Sequence, residues 1–245
     1  MCREKYKKQI VEQGERMTEF CGHPVTAAIF DMDGTILDSS AMWDDSVAAV
    51  MKQLHYTPKS TIYEDTFPLG PREIAEFLKK DYQMVESVEE IYSCMDTSLK
   101  RYYFEEAQLK PGARELLTAL HEAGVHLALA TATSEEYVIP AMELTGLKSI
   151  FDSIITVDKL GMGKSEPQFF RYVLGALRAE ANQTVLFEDA LYSIQTAKKV
   201  GILTCGVYDV SSALVGDAIK DTADWYLSDL MNWRELPITG WEVSR

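Results

Sequence analysis

Positive charge is scarce in this chain of 245 residues: 24 lysines and arginines stand against 38 aspartates and glutamates, a formal net charge of −14. That balance argues against binding nucleic acid or an anionic membrane surface through bulk electrostatics. A small anionic substrate would then need local help, from a cationic side chain or a bound metal. Cysteine is sparse too. Cys2, Cys21, Cys94 and Cys205 have no paired spacing, which speaks against a disulfide framework or a zinc cluster and for reduced thiols. No apolar run approaches the ~20 residues of a membrane span. Met1–Phe20 is charged throughout, unlike a secretory signal peptide. No internal repeat or low-complexity tract occurs. The expectation is a cytoplasmic protein, a monomer or small homo-oligomer, with no nucleic-acid or membrane partner.

What is present is a core-forming hydrophobic content of 47%, enough for one large domain or a core with a smaller insert. Residues 3–19, with Lys5, Lys7 and Lys8 close together, read as a polar N-terminal helix or extension. Strand-like apolar runs follow at 25–30, 125–130, 153–157, 184–187 and 202–207, and helix-like stretches at about 134–145, 166–179 and 190–200 separate the last four. Strand alternating with helix predicts an α/β fold, a parallel, doubly wound sheet covered on both faces. The interval from about Ser40 to Gln108 breaks that rhythm. It holds no convincing strand but helical segments at 43–54, 72–82 and 87–104, and in the last Val88, Ile91, Tyr92, Met95, Leu99 and Tyr102 keep helical spacing. A helical block is thus inserted after the first strand, with Pro111 expected to open a helix over 111–123 that returns to the core.

The first apolar run ends in Asp31-Met32-Asp33-Gly34-Thr35. A buried strand that breaks into acid and glycine places both carboxylates where open α/β sheets bind ligands. Packing cannot explain them, because ionised carboxylates are rarely buried without a partner or a metal. An EF-hand reading fails, since the bidentate acid at the twelfth loop position would be Met42. Three further features stand at or just after predicted strands: Thr131, Lys164 in Gly161-Met162-Gly163-Lys164-Ser165-Glu166-Pro167, and Glu188-Asp189. Each has an ordinary structural reading in isolation. A threonine there caps the next helix, a lysine among glycines is solvated, and adjacent acids favour a helix start.

Together, in this order and context, they resemble the four motifs of the haloacid dehalogenase superfamily, mostly phosphatases and phosphotransferases. The likeness covers the core from residue 25 to about 208. The inserted helices match the subfamily with a helical cap after the first motif, the β-phosphoglucomutase and phosphoglycolate-phosphatase-like proteins. The chain is thus expected to divide into a helical extension at 1–22, a core from 23–40 with 108–245, and, as the resemblance implies, a cap at 41–107. The resemblance implies Asp31 as nucleophile, Asp33 as general acid and base, Thr131 as orienter of a phosphoryl oxygen and Lys164 as charge balance. It implies Mg2+ held by Asp31, the Asp33 backbone carbonyl and Asp189, with Glu188 beside it. Gly34, Thr35, Ala132 and Thr133 would contact substrate, and Arg72 would reach its phosphate from the cap. The activity implied is hydrolysis of a small phosphorylated metabolite, such as a sugar phosphate, through an aspartyl-phosphate.

Three alternatives are weaker. Sugar-phosphate mutases of this group carry a cap histidine near Trp43, a cap lysine near Leu69 and an asparagine near Glu135, none of which is present here. A phospho-accepting receiver module would lack the second aspartate and the helical insert. A dehalogenase would have no use for Asp33. His23, His55, His121 and His126 lack metal-ligand spacing, and the aromatics Trp43 and Tyr63 are expected to pack within the helical block.

Overall fold

The structure, a computed structural model, describes residues 19–20, 23–66, 69–236 and 238–239. Two short strands, β1 (Glu19–Phe20) and β2 (His23–Pro24), precede β3 (Ala27–Phe30). Four helices follow: α1 (Ser40–Gln53), α2 (Ile62–Thr66), α3 (Pro71–Asp81) and α4 (Val88–Arg101). The chain then alternates through α5 (Ala113–Glu122), β4 (His126–Thr131), α6 (Glu135–Leu144), β5 (Ser153–Thr156), α7 (Val157–Leu160), α8 (Pro167–Leu177), β6 (Thr184–Glu188), α9 (Leu191–Val200) and β7 (Leu203–Val207). It ends with α10 (Gly216–Thr222), β8 (Trp225–Leu227) and β9 (Ile238–Thr239).

Six strands form one all-parallel sheet in the order β5-β4-β3-β6-β7-β8. Its central strands are continuous apolar runs because both faces are covered. Along β3, Ala28 and Phe30 join the cluster packed by α5 and α6, while Ala27 and Ile29 face Phe169, Phe170 and Val173 of α8. Phe30 stacks on Phe187 of β6 with ring centroids 4.5 Å apart. Each fully buried phenylalanine contributes roughly 1.5–3 kcal/mol. From β3 the chain winds outward through β4 and β5, then crosses back to lay β6 on the other side of β3. The strand order therefore reverses between β3 and β6, the position where such sheets bind ligands.

The inserted helices have their own core, in which Val47, Val50, Ile74, Leu78, Ile91 and Met95 meet. Local chemistry sets their ends. Ser87 and Glu90 form a reciprocal cap on α4, the Glu90 N–H donating to Ser87 Oγ and the Ser87 N–H to Glu90 Oε2 at 2.7 Å. After α4 comes one π-helical turn, Tyr102–Glu106. The extra residue in such a turn shifts the helical phase. The buried aromatic is Tyr103, fully enclosed four residues after the buried Leu99, where the expected spacing stops at Tyr102.

Three expectations need correction. Pro111 does not open a helix: α5 begins at Ala113, after Gly112 at φ 86°. A positive φ is not helical, so the helix starts only past Gly112, and a Cβ there would lie 2.6 Å from the backbone of Leu230, which reserves the position for glycine. The N-terminal helical extension falls on residues 1–18, outside those described, except that Glu19–Phe20 is a strand pairing β2 and β9. Strand β8 has no counterpart in the apolar runs, being only three residues long at the sheet edge. Among the described residues no helix is long and apolar enough to cross a membrane.

Candidate active site

The strand ends carry the site. Asp31 follows the last residue of β3, and its N–H donates to the Phe187 carbonyl of β6 at 3.0 Å, which aligns it beside Glu188 and Asp189. Beyond it the chain turns back at once, the Gly34 N–H bonding the Leu37 carbonyl at 3.1 Å. Gly34 sits at φ 73°, and a Cβ there would come within 2.8 Å of Asp189 Oδ2, so this turn and the acid pack too closely for any side chain.

Lys164 arrives from the loop between α7 and α8 and is almost wholly buried. Its ammonium donates to Asp31 Oδ1 at 2.7 Å and to Glu188 Oε2 at 2.8 Å. Glu188 is saturated. Its Oε2 also accepts from Ser193 Oγ at 2.6 Å, and its Oε1 accepts the N–H groups of Asp189 and Ala190. Asp31, Glu188 and Asp189 each offer an oxygen, all within 4.8 Å of one another. Three buried carboxylates against one ammonium leave negative charge uncompensated. Burial first, then the charge of Glu188, pushes Asp31 up to about 7 despite Lys164. The same two causes, with Asp31 and Asp209 adding, hold Asp189 well above the usual carboxylate range. Such a cluster of hard oxygen donors fits a divalent cation. Because Glu188 is committed to its hydrogen bonds, Asp31 and Asp189 are the carboxylates with oxygens to spare.

Asp33 is held separately. Its Oδ1 accepts from the Tyr103 hydroxyl at 3.0 Å and its Oδ2 from Thr133 Oγ1 at 2.6 Å. Burial raises its proton affinity, opposed by the hydrogen bonds from Thr133, Ser39 and Tyr103. Thr131, at the end of β4, is buried, and its Oγ1 accepts the Thr133 N–H at 3.1 Å.

These groups form the floor of a cavity of about 620 Å3 between the sheet and the helical block. Asp31, Asp33, Gly34, Thr131, Ala132, Thr133, Lys164, Glu188 and Asp189 all line it. Two expected substrate contacts do not. Thr35 is completely buried, its hydroxyl donating to Asp189 Oδ1 at 3.1 Å, so it fixes an acid instead of meeting substrate. Arg72 is exposed at the start of α3 and bonds Glu89 of α4 at 2.8 Å, away from the lining. A cation at a helix surface finds the nearest carboxylate, and α4 supplies one.

Trp43 packs against the core of the helical block as expected but also lines the cavity, and Tyr63, expected to pack inside the block, is 41% exposed and lines the cavity. Asp209 and Tyr103 went unremarked in the sequence. Asp209 is the second residue after β7, an acid near a strand end much as Asp31 is, so the sequence carries a signal for it. It is buried, accepts from Lys110 Nζ at 2.7 Å and from Ser40 Oγ at 2.7 Å, and so ties together both connections to the helical block. Burial would raise its pKa, but the bonds from Lys110, Ser211 and Ser40 outweigh it and hold the carboxyl below its ordinary value. Tyr103 gave no signal, since an aromatic in a helical repeat looks like packing.

Residues 28–207 match the model of the haloacid dehalogenase-like hydrolases. The chain is 26% identical over 176 residues to the phosphorylated carbohydrates phosphatase of Thermotoga maritima, covering 72% of this chain and 82% of that protein. It is 28% identical over 207 residues to the validoxylamine A 7′-phosphate phosphatase of Streptomyces hygroscopicus subsp. limoneus, covering 84% and 95%. In fold it is similar to CbbY of Rhodobacter sphaeroides, solved with phosphate, at a TM-score of 0.70 and 23% identity over 84% of this chain and 95% of that one. A match spanning most of the sheet, with phosphatases as relatives, means that the chain belongs to the haloacid dehalogenase-like hydrolase family and is a phosphoric monoester hydrolase.

Proposed function

We propose that this enzyme hydrolyses a small phosphorylated metabolite by transferring the phosphoryl group to Asp31, with Mg2+ as cofactor. The observation that carries the reading is the buried contact of Lys164 with Asp31 beside Asp189. An anionic ester resists an anionic nucleophile unless charge is neutralised around the transferring group. Asp31, Asp189 and the Asp33 carbonyl would hold the metal, which supplies positive charge for the phosphoryl oxygens when bound.

In the first step a carboxylate oxygen of Asp31 attacks phosphorus, and the ester oxygen departs with a proton from Asp33. Burial supports this role by raising Asp33's hold on that proton. In the second step Asp33 takes a proton from water, which attacks the aspartyl-phosphate and releases inorganic phosphate and free Asp31. Lys164 keeps Asp31 oriented and balances the charge that gathers on the phosphoryl group. Thr131 would steer one phosphoryl oxygen.

The helical block would serve as a cap that closes over the substrate and excludes water. Its hinges are proposed at Asp38–Ala41 and Ala107–Lys110. The Asp38 N–H bonds the Gln108 carbonyl at 2.9 Å, so the two connections run side by side and can bend together.

Asp31→Asn should abolish hydrolysis of a generic phosphate ester, and chelation of divalent metal should do so reversibly. Turnover that survives the substitution would remove Asp31 as nucleophile. An isomerisation assay with glucose 1-phosphate should give no product, and interconversion to the 6-phosphate would instead establish a mutase.

A further inference from the structure

The cavity is much larger than its phosphoryl floor, and its remaining walls combine large apolar side chains with a few hydroxyls and carboxylates but, among the described residues, no cation. Trp43 of α1, Tyr63 of α2 and Leu69 line it from the helical block, and Val210 and Leu214 from the segment after β7. Three of these are large apolar side chains left open to solvent: Tyr63 is 41% exposed, Val210 64% and Leu214 96%. Exposed apolar side chains gathered at the mouth of one cavity mark a surface that a ligand covers. Isolated ones scattered over a protein need no such account.

The charged groups point the same way. Lys164 is the single cation among the described lining residues, and it is spent on Asp31 and Glu188. Away from the floor the ionisable wall groups are carboxylates, Asp44 and Asp209. Lys110 answers Asp209, whereas Asp44 has no ion-pair partner among the described residues. A leaving group bearing a second phosphate or a carboxylate would meet the unpaired Asp44 with no lining cation left to receive it. Such unpaired like charge discriminates strongly where water is displaced. An uncharged ring meets aromatic and aliphatic walls at no such cost.

We propose that the substrate is a monophosphate of an uncharged, ring-bearing alcohol, whose ring lies between Trp43 and Tyr63 on one side and Val210 and Leu214 on the other. This rests on the phosphatase reading above for the placement of the phosphoryl group. It excludes pyrophosphate, phosphoglycolate and sugar bisphosphates as good substrates.

The test compares kcat/KM for uridine 5′-phosphate and benzyl phosphate with that for phosphoglycolate, pyrophosphate and fructose 1,6-bisphosphate. The ring-bearing monoesters should lead by at least tenfold. Equal or better turnover of any anion-bearing compound overturns the proposal while leaving the phosphatase reading intact. Asp44 is exposed, so Asp44→Lys should fold, and it should narrow the gap towards phosphoglycolate by about tenfold. An unchanged ratio would mean that Asp44 does not face the leaving group, and the charge argument would fall. Tyr63→Ala should raise KM several-fold for the ring-bearing esters and much less for glycerol 3-phosphate; an equal rise for both removes the stacking. Titration of the same ligands into Asp31→Asn protein with Mg2+, followed by calorimetry, reads the preference without turnover. If no ester is hydrolysed but uridine 5′-phosphate still binds more tightly than phosphoglycolate, the phosphatase reading fails and the ligand class stands.

Discussion

The floor of the cavity, at the ends of β3, β4 and β6, is made of ionisable side chains that are buried and bonded to one another. Its roof, carried by α1 and α2, presents Trp43, Tyr63 and Leu69 with no cation among them. On the floor nearly every oxygen has a named partner: Glu188 alone accepts four hydrogen bonds, from Lys164, Ser193, Asp189 and Ala190. On the proposed reading the roof selects by apolar area and by the negative charge of Asp44. The difference teaches how labour is divided here. The floor fixes the reaction, since charge must be placed to within fractions of an ångström before it can neutralise a phosphoryl group. The roof is free to change substrate without disturbing it.

Removing the centre of the floor should break this contrast most severely. In Lys164→Met, Asp31 and Glu188 would face each other with no cation between them. Taking one partner out of a buried ion pair costs about 3–5 kcal/mol. Urea unfolding in metal-free buffer should show a loss of that order, and added Mg2+ should recover part of it by binding the folded state. The variant should also lose about 10²-fold or more in kcat. A variant as stable as the parent without metal would mean that the acids are already protonated and that Lys164 balances nothing.

Legibility divides along the same line. The sheet could be read because buried parallel strands are unbroken apolar runs, and Asp31, Thr131 and Glu188 because each stands where such a run stops. Lys164 needed the resemblance, as nothing in a glycine-rich loop says which way its lysine folds. Thr35 was assigned to substrate, yet its hydroxyl serves Asp189; spacing gives the neighbourhood of a side chain but not its partner. The roof was least legible. Trp43 and Tyr63 lie on helices whose other faces are core, and only the path of the chain decides which face meets the cavity. Tyr103 continues the buried i+4 series of Met95 and Leu99, so in the sequence it is indistinguishable from a packing aromatic.

Tyr103 supports the floor from behind, and a second substitution sharpens the comparison there. Its ring stacks on Tyr137 with centroids 5.3 Å apart, while its hydroxyl donates to Asp33. Tyr103→Phe keeps the ring and deletes one hydrogen bond of about 1 kcal/mol. The kcat should fall roughly three- to tenfold by the same measure. The loss should be greater for alkyl phosphates, whose departing oxygen needs the Asp33 proton, than for p-nitrophenyl phosphate, whose leaving group needs it less. An equal loss for both would make Tyr103 a packing residue with no hold on the acid.

The smallest effect belongs to Arg72, the cation that a sequence reading would place in the roof. Were it a phosphate ligand, the roof would carry a cation and the contrast with the floor would dissolve. Its guanidinium instead bonds Glu89 at 2.8 Å and lies 3.9 Å from Glu76, with all three side chains largely in water. Exposed pairs of this kind are worth about 0–1 kcal/mol. Arg72→Ala should therefore change kcat/KM by less than about twofold and stability by no more than that margin, read by steady-state kinetics and urea unfolding. A tenfold rise in KM would show that the arginine leaves Glu89 when substrate binds, since a side chain held at the helix surface has no other route to the phosphoryl group.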